Sequence, residues 1–193
     1  TAARKPGGIS KEISDAGGDM NAYTAQDRTV FHITLPSRNW KIAVDVLADA
    51  LMNASFPKEE WSREREVILR EFAMGDDDPD RLLNKMIWSA AYRVHPYKYP
   101  IIGYEDIFQS MTLEDLKAFF HRNYTPDNMI AVIVGDIQAD EAEAALRTAF
   151  KDFKRRARAP LALPEEPPQI APRFERKEGA YEVSRLAMVF HAV

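Results

Sequence analysis

The chain has no cysteine among its 193 residues. That excludes disulfides and any thiolate metal site. No apolar run approaches the roughly 18 residues that a membrane-spanning helix needs, and no signal peptide is visible. Neither charge sign dominates: 26 Lys and Arg stand against 30 Asp and Glu, a net charge of −4. Such a balance gives no reason to expect a nucleic-acid partner. The one basic run, Lys151 to Arg158, reads as a solvated helix end leading into a spacer. There is no Walker loop, no dinucleotide fingerprint and no G-x-S-x-G. The glycine pairs Gly7-Gly8 and Gly17-Gly18 are too sparse to cradle phosphate. Four histidines are present, His32, His95, His121 and His191, and none lies in an H-x-x-E-H or H-E-x-x-H arrangement. Each reads as a structural residue.

What is present is an ordinary globular composition, 46% hydrophobic and 29% charged, enough for one substantial core or two small ones. Ile9 and Ile13 share one face of a short helix over Gly8 to Asp15, which Gly17-Gly18 would end. Met20 to Thr24 and Thr29 to Leu35 read as strands joined by the polar turn Ala25 to Arg28. Asn39 to Asn53 is an amphipathic helix with Trp40, Val44, Leu47 and Leu51 inward. Lys41, Asp45, Asp49 and Asn53 make its wet face. Asp78 and Pro79 open a later helix, and Thr112 and Asp115 another. Met129 to Val134 reads as a strand, Asp140 to Phe150 as a helix. Residues 155–172 are proline-rich and extended. Phe174 to Glu178 and Tyr181 to Val193 read as further strands. Helices grouped against a mixed or antiparallel sheet give an α+β class. Both ends read as cut, since Thr1 has no initiator Met before it and the apolar run from Leu186 stops at its strongest point.

One stretch carries chemistry. Trp61 to Phe72 predicts a helix in which residues seven apart nearly eclipse. Glu64 and Glu71 then share a stripe with Ile68 and Trp61, the residues expected to be buried. Burying a carboxylate is costly unless it is paired or coordinates a metal. Glu66 faces Arg70 at i,i+4, an ordinary exposed pair. Two readings of Glu64 and Glu71 follow from spacing: a face salt-bridged by Arg63, Arg65 and Arg70, or one metal ligand with a second acid behind it.

Gly17-Gly-Asp-Met-Asn-Ala-Tyr-Thr24, followed by Arg63 to Glu71, resembles the pitrilysin/insulinase (M16-type) zinc metallopeptidases, a family that includes the mitochondrial processing peptidases. The resemblance continues through His95-Pro96, Ile102-Gly103, Leu113 to Leu116, Tyr124 to Met129 and Val134 to Asp136. It covers most of residues 1–150. It implies a sandwich of helices against a mixed or antiparallel sheet, repeated as homologous domains around a chamber. It divides the chain into the main part of an N-terminal peptidase domain (1–154), a linker (155–172) and the start of the following strands (173–193).

By position, Glu71 corresponds to the family's glutamate zinc ligand and Glu64 to the acid kept close behind the metal. Asn21 and Ala22 correspond to the strand edge that pairs with substrate backbone. The family's two histidine ligands and its general-base glutamate would lie upstream of Thr1. The implied function is a zinc-dependent metalloendopeptidase acting on extended oligopeptides, with this segment inactive by itself. Its partners would be peptide substrate and a homologous second domain or partner subunit, or a second copy as a homodimer. The alternative is a non-catalytic member serving as a structural or substrate-recognition subunit. Substrate identity and compartment stay open.

Overall fold

Two glycines make the first corner of the chain. Helix α1 (Gly8–Asp15) ends in a Schellman closure, with the Gly18 N–H on the Ile13 carbonyl at 3.0 Å and the Gly17 N–H on the Ser14 carbonyl at 2.9 Å. Gly17 has φ 78°, the left-handed region that glycine enters without a Cβ penalty. Gly18 is required by close approach instead. A Cβ there would stand 2.2 Å from Leu35 Cδ2 and 2.3 Å from the Thr34 carbonyl oxygen. The chain therefore passes directly from α1 into an antiparallel hairpin of β1 (Asp19–Thr24) and β2 (Thr29–Thr34). Its register runs from Asp19 opposite Thr34 to Thr24 opposite Thr29. The Ala25 N–H donates to the Arg28 carbonyl and closes the expected turn.

The computed structural model describes residues 1–156 and 161–191, with the side chains of Asp76 and Asp77 outside that description. Parts of the basic run (157 and 158), of the proline-rich stretch (159 and 160) and of the terminal apolar run (192 and 193) also lie outside it. The remaining helices are α2 (Trp40–Met52), α3 (Lys58–Asp77), α4 (Pro79–Ala91), α5 (Glu105–Ser110), α6 (Leu113–Asn123) and α7 (Ala139–Ala149). With one hairpin beside seven helices among the described residues, the class is α+β. The chain divides into two units, Thr1–Pro57 with Leu113–Arg158, and Lys58–Thr112 with Ala159–Val193.

In the first unit α2 packs against α1, β2 and α7. Its core is Ile13, Val44, Val46, Ala48 and Ala142. Phe120 on α6 stacks on Tyr124 at 4.4 Å, and Tyr124 meets Phe31 of β2 at 6.2 Å. The wet face expected of α2 is only partly wet, because Asp49 is buried. The reason is Arg4, which folds over that face. Its guanidinium grips Glu12 of α1 through Nε at 2.7 Å and Nη2 at 3.0 Å, and reaches Asp45 at 2.5 Å and Asp49 at 2.8 Å. Asp49 also accepts from Thr1 Oγ1 at 2.6 Å and from Asn53 Nδ2 at 3.0 Å. Burial pushes the Asp49 carboxyl up, but the donors Thr1, Arg4 and Asn53 outweigh it and hold it at about 2.

In the second unit Asp78 caps α4 by accepting from the Asp80 N–H at 2.9 Å and the Arg81 N–H at 3.3 Å. The far end of α4 is closed by residues distant in sequence. Arg173 donates to the Ala90 and Ala91 carbonyls at 3.0 and 3.1 Å, the orphaned acceptors of a last helical turn. Glu166, in the proline-rich stretch, accepts three successive backbone N–H groups, from Arg93 at 2.7 Å and from Val94 and His95 at 2.9 Å. Burial alone would raise its pKa, and those three donors with Arg173 hold it at about 2 instead. A spacer by composition is thus anchored by one side chain.

Three expected strands are not laddered among the described residues. The runs 129–134, 174–178 and 181–191 carry no strand pairing. Ile130 is 92% and Leu186 86% exposed. A strand exists only through its neighbour's N–H and C=O groups, and β-propensity without a partner leaves an apolar run in the open.

Asp49 sets a pH dependence. Its carboxyl is lowered from the ordinary 3.8 to about 2 on folding, so its contribution is full above pH 4 and is lost as pH falls toward 2. Linkage makes that about 2 kcal/mol. Asp49→Asn is expected to be destabilised by about that amount at pH 6, with the difference shrinking at pH 2 in urea unfolding. A gap independent of pH would contradict the buried-carboxylate account. For the glycines, Gly18→Ala should cost about 1–3 kcal/mol by overpacking against backbone. Gly17→Ala should cost about 1–2 kcal/mol from its dihedral alone. Melting midpoints of the two variants check the ordering.

Candidate functional site

Helix α3 begins after Pro57, and Glu59 and Glu60 in its first turn complement the positive end of the helix dipole. One side is fixed by α5. Trp61 and Phe72 both pack on the Phe108 ring, with centroids 6.3 and 5.8 Å apart. Arg65, between them, donates to the Gln109 carbonyl at the end of α5. The covered face is therefore Trp61, Arg65, Ile68 and Phe72. Glu64 and Glu71 lie roughly 70° around the helix from it, and both are exposed. The expectation that they share the buried stripe is corrected here. The seven-residue spacing does put them on one face, but the aromatic clamp turns a neighbouring face inward.

The salt-bridged reading of that helix has no support among the described residues. Arg63 pairs with Glu60 at 3.3 Å, and Arg65 is used by the Gln109 carbonyl. Neither Glu64 nor Glu71 makes a hydrogen bond or ion pair there, and the expected Glu66–Arg70 pair is not formed. Two carboxylates on one helix face thus stand unpaired beside three arginines of their own helix.

Asn21 and Ala22 are adjacent on β1, exposed, and belong to the other unit. The structure brings Glu64 and Glu71 onto one helix and Asn21 and Ala22 onto one strand. β1 pairs with β2 alone among the described residues, so its other edge is open.

The histidines are engaged locally. His32 faces Tyr23 at 6.4 Å across the hairpin. His95 accepts from the Tyr97 N–H at 3.3 Å, and His191 meets the Ala91 carbonyl at 2.8 Å while stacking on Tyr92. His121 Nδ1 is 2.7 Å from Arg156. No group of three or more His, Cys, Asp or Glu converges among the described residues. Glu166 is the residue whose part the sequence hid, because nothing in a proline-rich context signals a carboxylate that closes a loop more than 70 residues away. No helix among the described residues is long and apolar enough to cross a membrane.

Residues 1–105 match the model of Insulinase (Peptidase family M16), and residues 110–193 match that of the Peptidase M16 inactive domain. A zinc protease of Mycobacterium leprae (strain TN) is 34% identical over 78% of this chain and 34% of its own length. A probable mitochondrial-processing peptidase subunit beta of Arabidopsis thaliana is 31% identical over 74% of this chain and 27% of its own. The crystal structure of a protease from Helicobacter pylori aligns with TM-score 0.80 at 29% identity, covering 88% of this chain and 41% of that one. The chain spans about a third of the length of the curated relatives it matches. Glu64, Glu71, Asn21 and Ala22 all fall inside the insulinase match, and the chain belongs to that family of peptidases.

Proposed function

We propose that this chain is a segment of a zinc-dependent metalloendopeptidase acting on extended oligopeptides, and that Glu71 is its contribution to the zinc. The observation that carries this reading is the pair of unpartnered carboxylates on the exposed shoulder of α3, in a family whose relatives are named zinc proteases. An ionised carboxylate is a suitable oxygen ligand for zinc. The donor set here is incomplete, because no third ligating side chain joins Glu64 and Glu71 among the described residues. The two histidines that the resemblance implies would come from outside those residues, and this segment by itself would be inactive.

Each residue then has a stated task. Glu71 offers a carboxylate oxygen that no cation among the described residues pairs with. Glu64, two turns earlier on the same face, would accept a hydrogen bond from a ligating imidazole and fix its tautomer and orientation. When bound, zinc supplies an activated water with a pKa around 7 and a Lewis acid for the scissile carbonyl. Asn21 and Ala22 would present the open edge of β1 to an extended peptide, which adds by main-chain hydrogen bonds and tolerates varied side chains. The unladdered apolar runs would complete the sandwich's larger sheet. A homologous second domain, a partner subunit or a second copy would close the chamber.

The test is zinc content of the longest natural chain containing these residues, beside its Glu71→Gln and Glu64→Gln variants. About one zinc per chain is expected, falling sharply in Glu71→Gln. Glu64→Gln should keep zinc at saturation but with affinity lowered roughly 10- to 100-fold. Zinc held equally by the parent and Glu71→Gln would show that Glu71 is not the ligand. Absence of zinc from every protein would favour the non-catalytic, recognition-subunit reading.

A further inference from the structure

The edge of β1 is open but not bare. Antiparallel partners alternate between pairs that exchange both hydrogen bonds and pairs that exchange none. The Ala25 N–H bonds to the Arg28 carbonyl, so counting back by twos in the register sends the N–H groups of Tyr23, Asn21 and Asp19 toward β2. Those of Thr24, Ala22 and Met20 point the other way, to the free edge. Thr24 fits this alternation, because its hydroxyl lies 3.2 Å from that of Thr29 across a close pair without ladder bonds. Of the three outward N–H groups, the one on Ala22 has a side-chain acceptor among the described residues: Asn21 Oδ1, at 2.8 Å.

We propose that the Asn21 carboxamide is a placeholder on this edge, holding the Ala22 N–H until the carbonyl of an incoming peptide strand takes it. The inference rests on the reading of β1 as the substrate edge. The exchange is one hydrogen bond for another: the Ala22 N–H leaves Asn21 Oδ1 and donates to a peptide carbonyl, while the freed carboxamide turns to solvent. A covered N–H also withholds the edge from adventitious strand pairing, the hazard of any unpartnered strand. Only a peptide that gains bonds at neighbouring positions as well can displace the cover. Asn21 therefore selects for extended backbone over several residues and against a single stray carbonyl.

The experiment uses the longest natural chain containing these residues, stripped of metal so that cleavage does not consume the probe, and a fluorescein-labelled extended nonapeptide. Hydrogen exchange over residues 19–24, with and without saturating peptide, reads edge occupation with no substitution. Polarisation titrations give the dissociation constants of the parent, Asn21→Ala and Asn21→Asp. Removing a competing neutral hydrogen bond should tighten binding about 5-fold in Asn21→Ala. Asn21→Asp keeps an acceptor and should bind no tighter than the parent. Protection of 19–24 with tightening in Asn21→Ala alone supports the placeholder. Protection with unchanged or weaker binding in Asn21→Ala overturns it and leaves the edge reading standing. No protection of 19–24 removes the edge reading, and the placeholder with it.

Discussion

Among the described residues, a carboxylate is taken out of water only where donors come with it. Removing the charge from water costs several kcal/mol unless it is paired and hydrogen-bonded. Asp49 meets that condition through Arg4, Thr1 and Asn53. Glu166 meets it through three consecutive backbone N–H groups and Arg173. In both places the donors outweigh the burial that pushes the carboxyl pKa up. Glu64 and Glu71 have no such company and stay outside. Donor supply thus accounts for the two buried acids, while Glu64 and Glu71 stay on the exposed shoulder of α3, where no donor among the described residues meets them.

Arg4 and the Phe108 ring decide which faces are hidden. One guanidinium collects carboxylates from α1 and α2 and converts a polar helix side into buried surface. Its planar fork suits this, since five donors in fixed geometry can serve several oxygens at once. On α3 the clamp is apolar. Phe108 takes Trp61 and Phe72 together, which rotates the Glu64–Glu71 line to the shoulder of the helix. Arg65, which could have neutralised a neighbouring acid, is drawn instead to the end of α5. The candidate site is what these two packing decisions leave uncovered.

Much of this was legible in the sequence. The Gly17-Gly18 stop, the hairpin with its four-residue turn and the Asp78 cap each follow from local chemistry and appear at the expected residues. The alignment of Glu64 with Glu71 needs only the helical period. What was hidden depends on partners far away in the chain. Periodicity places Asp49 on a wet face, and only Arg4, 45 residues earlier, shows why it is dry. Composition makes 155–172 a spacer, while Glu166 ties it to a backbone turn more than 70 residues away. The runs 129–134 and 181–191 have the residues of strands, but strand character is a property of pairs, and a single segment does not contain its partner.

That last point also governs how the hairpin can work. An unpartnered strand is a liability when its outward N–H groups are free and an asset when a peptide is meant to add there. The two demands conflict only if the cover is permanent. A hydrogen bond from a residue to its own neighbour is local: it needs no tertiary contact to form and disturbs none when it breaks. Asn21 and Ala22 have that relation, and a bond of this kind is worth roughly 1 kcal/mol net. It is enough to disfavour a chance encounter and too little to resist a strand that bonds at several positions. The placement of an amide side chain beside alanine on the open edge is thus consistent with reversible use of that edge, whereas a proline or a charged residue there would have closed it.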